Sequence, residues 1–181
     1  MKIIETGLPG CVVFEPTVFE DHRGLFFESY NENSFSKIIG HDVKFVQDNQ
    51  SFSKRGVLRG IHYQIGDFAQ AKLVRVLQGE VLDIAVDLRK NSSTFSKYFS
   101  IKLSAKNKKQ LFVPRGFGHA FVVLSDTAEF FYKCDNFYNK KSEGGIIYND
   151  SKLNIDWVLP KSELILSEKD LELSTVSSCL L

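Results

Sequence analysis

The sequence predicts a mainly β fold, an antiparallel sandwich or jelly-roll barrel with a few short helices, in a single domain over residues 1–181. Short apolar or alternating stretches recur along the chain with turn signals between them, and helical periodicity is brief. Sixteen Phe and six Tyr supply the flat, bulky side chains that strands favour. A chain of 181 residues can bury a substantial core but has no room for a second catalytic domain.

Val12 to Glu15 and Leu25 to Tyr30 read as the opening strands. Asn31 to Ile39 reads as a helix, closed by Gly40 where a left-handed residue is wanted. Lys44 to Phe52, Val57 to Gln64 and Lys72 to Gln78 follow as strands, and Gln78-Gly79 marks a tight hairpin. Val81 to Leu88 alternates most clearly: Leu82, Ile84, Val86 and Leu88 share one face, Asp83 and Asp87 the other. One face packs, and the other can line a cavity. Tyr98 to Leu103, Gln110 to Val113, His119 to Leu124 and Glu129 to Asp135 complete the strands. Lys106-Asn107-Lys108-Lys109 between two of them reads as a solvated turn. A second helix begins near Ser167, where Ser167-Glu168-Lys169-Asp170 reads as a capping box.

A formal charge of +1 provides no global field for nucleic acid or an anionic membrane, so any anion must be gripped locally. No apolar run approaches the roughly 20 residues of a membrane span. Cys11, Cys134 and Cys179 show no metal-like or redox spacing, and the first residues lack a secretory apolar stretch, so the expected compartment is the cytoplasm.

Of four histidines, His22 and His41 lie in polar, turn-like surroundings. His62 and His119 instead sit in apolar, glycine-punctuated strands, Leu58 to Gln64 and Val113 to Phe121. Imidazole takes and gives protons near neutral pH, so an active cavity is the first hypothesis. The plain alternative is a buried histidine satisfied by one backbone hydrogen bond. The form Pro-x-Gly-x-x-His ending at His119 resembles the latter half of the cupin signature, and Gly56 with His62 resembles part of the former half. Gln64 stands where the metal-binding version carries a further histidine, and its later Glu and Asn are not evident. No metal or cofactor is therefore expected, with an iron site of two histidines and one carboxylate as the alternative.

Histidine, lysine and tyrosine in a metal-free barrel suit proton transfer beside a ketone. Removing that proton creates an enolate, which needs a base for the proton and a cation for the oxygen. His62 and Lys72 are the natural candidates. Tyr132 could serve as the acid on the opposite face, its alternative being a core aromatic with a hydroxyl at the rim.

The chain resembles the dTDP-4-dehydrorhamnose 3,5-epimerases nearly end to end. The resemblance is carried by Asp21-His22-Arg23-Gly24, Phe26-Phe27-Glu28-Ser29-Tyr30, Phe45-Val46-Gln47-Asp48-Asn49 and Val57-Leu58-Arg59-Gly60-Ile61-His62-Tyr63-Gln64. Lys72-Leu73-Val74-Arg75, Gly79-Glu80-Val81-Leu82-Asp83, Tyr132-Lys133 and Leu166-Ser167-Glu168-Lys169-Asp170 extend it. It implies a cupin-like jelly roll without cofactor that acts on a dTDP-linked keto sugar as a homodimer with exchanged N-terminal strands. By the same resemblance His62 is the base, Asp170 its carboxylate partner, Tyr132 the acid, and Lys72 the group that polarises the C4 ketone. Arg23, Glu28, Gln47, Asn49, Arg59, His119, Glu143 and Lys169 would hold the nucleotide sugar, and Tyr138 would stack on thymine.

Each role has a plainer rival. Asp170 could simply cap its helix; Arg23, Glu28 and Arg59 could form ordinary ion pairs; Glu143 could be a solvated loop residue and Tyr138 a surface aromatic. Simple alternation also puts Arg59 and His62 on opposite faces, so a bulge at Gly60 is predicted. Where the family pattern runs Pro-Glu-Gly-Phe-Ala-His-Gly-Phe, this chain carries Arg115, Gly118 and Ala120, which predicts a reversed charge at the cavity rim. The functional alternatives are an enzyme inverting one carbon or using another nucleotide-linked 4-keto sugar, a non-catalytic sugar-nucleotide binding module, and a metal-dependent cupin oxygenase.

Overall fold

The strand signals resolve into two antiparallel sheets packed face to face, in a computed structural model that describes residues 1–179. In chain order the elements are β1 (Lys2–Glu5), β2 (Val12–Glu15), β3 (Phe19–Asp21), β4 (Gly24–Phe26), helix α1 (Glu32–Ile39), β5 (Gln47–Lys54) and β6 (Leu58–Gln64). They continue with β7 (Lys72–Gln78), β8 (Glu80–Asp87), β9 (Tyr98–Ser104), β10 (Gln110–Val113), β11 (Phe117–Val123), β12 (Thr127–Cys134), β13 (Glu143–Gly145) and helix α2 (Glu168–Leu171). One sheet runs β1-β2-β10-β7-β12-β5 and the other β13-β6-β11-β8-β9, while β3 and β4 form a separate hairpin. This is the predicted jelly-roll class, and among the described residues no helix is long and apolar enough to cross a membrane.

Three layers of apolar side chains hold the sheets. Val13, Val74, Leu111 and Phe130 from one sheet meet Val81, Ala85, Leu103 and Phe121 from the other. Outside the second sheet, Leu82, Ile84, Val86 and Leu88 pack beneath Ile146, Leu153, Trp157 and Val176 of the C-terminal segment. Outside the first, Phe14 and Phe112 pack on Phe35 of α1. Truncating the buried Phe35 ring to Ala would cost about 3–5 kcal/mol by the usual transfer and cavity terms. The alternation of β8 thus has both faces buried: the aliphatic face under the C-terminal cover, the aspartate face between the sheets.

Local rules explain the helix ends. The side chain of Asn31 accepts from Ser34 N, and Gly40 ends α1 with φ of 83°. At α2 the predicted capping box is half formed. Ser167 accepts from Asp170 N, but the Asp170 carboxylate turns away to His62. The predicted strand from Leu25 to Tyr30 stops at Phe26, because Tyr30 instead packs its ring against Phe35 and Phe45. The predicted strand from Lys44 begins at Gln47 and reaches Lys54.

The irregularity predicted at Gly60 is present. His119 pairs with His62 and Phe121 with Arg59, so two steps along β11 face three along β6. Gly60 has φ of 123°, and a Cβ there would lie 2.5 Å from His119 O and 2.6 Å from Ala120 Cβ. The extra residue turns Arg59 and His62 toward the same cavity.

Candidate active site

Between the sheets opens a cavity of about 480 Å³. β6 supplies Arg59 and His62, β7 Lys72, β11 His119 and Phe121, β12 Phe130 and Tyr132, and β5 Asn49. The C-terminal segment closes one side with Leu166, Ser167, Lys169 and Asp170. Five strands and the C-terminal segment therefore deliver their polar side chains to one space.

Both cavity histidines are held by carboxylates. His62 Nε2 lies 2.6 Å from Asp170 Oδ1, leaving Nδ1 as the ring nitrogen available to take a proton. His119 Nε2 lies 3.0 Å from Asp83 Oδ2, and both of those residues are buried. The reading of each histidine as satisfied by one backbone bond therefore fails, and so does that of Asp170 as a cap alone. Burial by itself would raise the Asp170 pKa, but the His62 ring and the Ser167 hydroxyl hold it below the ordinary carboxylate value.

Lys72 and Tyr132 are diagonal neighbours across the β7–β12 ladder, with Lys72 Nζ 5.7 Å from the Tyr132 ring centroid. Burial pushes Lys72 below the ordinary lysine pKa and pushes Tyr132 up to about 12. The lysine is thus poised to give up its charge more readily than a free one, while the phenol keeps its proton across the neutral range.

A second group extends from this cavity. Lys169 Nζ lies 2.6 Å from Glu143 Oε2, the Tyr138 hydroxyl donates to that same oxygen at 2.9 Å, and Tyr138 N donates to Gln47 Oε1 at 3.1 Å. Gln47 in turn donates to Asn49 Oδ1 at 3.1 Å. Burial raises the Glu143 pKa, but Lys169 and Tyr138 outweigh it and hold the carboxyl below its ordinary value. Glu143 is therefore not merely a solvated loop residue.

Arg23 and Glu28 do not join them. Arg23 pairs with Asp21 at 2.6 Å on the β3–β4 hairpin, its side chain 79% exposed, and Glu28 accepts from Asn31 Nδ2 at 3.2 Å. Neither lines the cavity of its own chain. Arg115 also departs from expectation: it is not at the cavity rim but pairs with Asp135 at 2.7 Å in a separate depression beside His41 and Lys44. Its charge is answered by that carboxylate.

Asp83 is the site residue that sequence reasoning missed. The alternation of β8 placed it opposite the aliphatic face, and a carboxylate pointing between two sheets needs a partner. The aromatic wall of Phe121 and Phe130 left no signal beyond ordinary strand apolarity.

The family model described as dTDP-4-dehydrorhamnose 3,5-epimerase matches residues 5–178. The dTDP-4-dehydrorhamnose 3,5-epimerase of Shigella flexneri is 53% identical over 94% of this chain and 93% of that protein. A crystal structure of the Elizabethkingia anophelis NUHP1 enzyme of the same name is 58% identical, covers 97% of this chain and 96% of its own, and has a TM-score of 0.94. The Legionella pneumophila Philadelphia 1 dTDP-6-deoxy-D-glucose-3,5-epimerase, in complex with dTDP-4-keto-L-rhamnose, is 44% identical over 98% of this chain and 93% of that one, with a TM-score of 0.94. With that likeness spanning the strands and the C-terminal segment that build the cavity, this chain belongs to the dTDP-4-dehydrorhamnose 3,5-epimerase family.

Proposed function

We propose that this enzyme inverts C3 and C5 of dTDP-4-dehydro-6-deoxy-D-glucose to give dTDP-4-dehydro-L-rhamnose, by metal-free proton removal and return through an enolate. The observation that carries this reading is that the two proton-handling groups come from opposite sheets: His62 from β6 in one, Tyr132 from β12 in the other. Inversion at carbon requires a proton to leave one face and another to arrive on the other.

In the proposed cycle, His62 Nδ1 takes the proton from C3, and the C–H electron pair moves into a C3–C4 double bond with charge on the C4 oxygen. The Lys72 ammonium, on the Tyr132 side, stabilises that oxyanion. Asp170 stabilises the imidazolium that forms. Tyr132 then gives its proton to the opposite face as the C4 carbonyl returns, and both residues reset by exchange with solvent before the step repeats at C5.

Arg59 and Lys169 suit a diphosphate, and the face of Tyr138 suits thymine. Gln47, Asn49, His119 and Glu143 would hold the rest of the nucleotide sugar. The ligand in the Legionella relative supports this substrate. The chain would work as one domain within a homodimer, its N-terminal strands exchanged so that Arg23 and Glu28 complete the partner's cavity. Phe19 and Phe26 support this by standing 63% and 71% exposed on their hairpin. Free cysteines throughout the described residues suit the cytoplasm.

Incubation with dTDP-4-dehydro-6-deoxy-D-glucose in deuterated water tests the reaction. Deuterium should enter at both C3 and C5 and vanish in His62→Ala. Uptake at one carbon would instead make this an enzyme like the Streptomyces bikiniensis 3'-monoepimerase, which is 33% identical. Tight binding with no exchange would overturn catalysis altogether.

A further inference from the structure

Gln64 occupies the place where a metal-binding cupin carries a histidine, two residues after His62 on β6, and it is only 6% exposed. Its amide is fully engaged with backbone. Nε2 donates to Phe68 O at 2.7 Å and to Phe137 O at 3.1 Å, while Oε1 accepts from Asn139 N at 2.7 Å. The two bonds to the 137–139 loop fall on the residues immediately before and after Tyr138. Only a carboxamide offers two donors and an acceptor in this arrangement, and the reversed amide would set oxygen against two carbonyls.

We infer that Gln64 is a positioning residue for the nucleobase end of the site, fixing the backbone on both sides of Tyr138 to the strand that carries His62. This rests on the proposed role of Tyr138 in stacking on thymine. Tyr138 is itself 55% exposed, so its ring has little packing to hold it; its hydroxyl is tied to Glu143, and the rest of its setting comes from the backbone. Gln47 anchors Tyr138 N from β5, and the Asn136 side chain donates to Asp67 O at 2.7 Å, tying the approach to the loop. Gln64 ties the backbone on both sides of Tyr138 to β6, so the strand that carries the proton-abstracting imidazole also sets the distance to the base-stacking ring. A ring held in place before the ligand arrives spares the entropy of ordering it on binding.

The test is a double-mutant cycle read by dTDP affinity and by turnover. Gln64→Met keeps the length and removes the hydrogen bonds; it should weaken dTDP binding by about tenfold while kcat at saturating substrate stays within about twofold. Gln64→Glu, which can accept but not donate when ionised, should act in the same direction. Adding Gln64→Met to Tyr138→Ala should weaken binding little further, because the two residues act through one contact. A fall in kcat with dTDP affinity intact, or fully additive losses, would overturn the inference. If Tyr138→Ala alone leaves dTDP affinity unchanged, the stacking role fails and this inference falls with it. If Tyr138→Ala weakens binding and neither Gln64 variant does, only this inference fails. Should the variants not fold, the unaltered protein still decides: adding dTDP must shift the Gln64 side-chain amide resonances together with those of Tyr138, and stationary amide signals would overturn the coupling.

Discussion

His62 stands directly across the β6–β11 ladder from His119, yet the two imidazoles are held by aspartates from different parts of the fold. Asp170 reaches His62 from the C-terminal helix, and Asp83 reaches His119 from β8. The His62 side chain is 29% exposed, whereas that of His119 is 8% exposed. The first is accessible enough to accept a proton from a substrate and pass it to solvent. The second is placed to present a fixed hydrogen-bonding edge. Replacing Asp170 with Asn should lower kcat by about 10²–10⁴ through loss of the charge that supports imidazolium. Replacing Asp83 with Asn should raise KM more than it lowers kcat. Steady-state kinetics of the pair checks the division, and equal kcat losses would refute it.

In the proposed cycle Lys72 should set the alkaline limit of the reaction. Its pKa lies below the ordinary 10.5 because burial disfavours its charge, while Tyr132 holds its proton to about 12. As pH rises, the ammonium proposed to stabilise the enolate is lost first, so kcat should fall below pH 10.5 with the phenol still protonated. Lys72→Met should lose about 10²–10³ in kcat, the scale for removing one oxyanion-stabilising group. Lys72→Arg should retain part of the activity and shift the limb upward, and an unmoved limb would assign it to another group.

Strand positions and the residue types of the cavity were legible in the sequence because both rest on local pattern. Alternation located β8, and the glycine inside an apolar run located the break in β6. What local pattern could not supply was pairing across long separations. Asp170 is 108 residues from His62, so a hydrogen-bonded dyad was implied only by the family resemblance. Asp83 showed its face but not its partner, which depends on the register between β8 and β11. Gln64 read as a lost metal ligand, since its actual partners lie on a loop whose path no periodicity predicts. The strand expected through Tyr30 failed for the same reason: the aromatic-rich stretch from Leu25 to Tyr30 was overridden by ring packing of Tyr30 against Phe35 and Phe45.

Gly60 should tolerate no side chain. Its φ of 123° is strained for any other residue, and a Cβ would strike His119 O and Ala120, which are backbone and core neighbours that cannot swing aside. Gly60→Ala should destabilise the fold by about 2–4 kcal/mol, measured by urea unfolding. A loss under about 1 kcal/mol would mean that the bulge relaxes at little cost.

Asp87 should govern acid stability. It is fully buried, and against the opposing effect of burial its bonds from Arg89, Ser92 and Thr94 depress its pKa to about 2. A depressed carboxylate contributes fully above its unfolded value near 4 and loses that contribution as pH falls toward about 2, a total of roughly 2 kcal/mol. Asp87→Asn should therefore be less stable than the parent at pH 7, with the gap narrowing between pH 4 and pH 2. A gap that stays constant over that window would place the effect in packing rather than in ionisation.

Arg23 offers the sharpest test of assembly. It projects from an exposed hairpin, pairs with Asp21 two residues away and stands outside the cavity of its own chain. The edge strand β5, unpaired on one side among the described residues, supplies Asn49 to that cavity and could receive a neighbouring strand. If Arg23 serves the partner's site, a dimer of one Arg23→Ala subunit and one His62→Ala subunit contains one intact site and one doubly broken site. Unfolding the two inactive variants together and refolding the mixture should then restore about a quarter of the parent activity, since half of the dimers are mixed and each has one working site. If Arg23 serves its own chain, every site in the mixture carries one lesion and activity stays at the level of the separate variants.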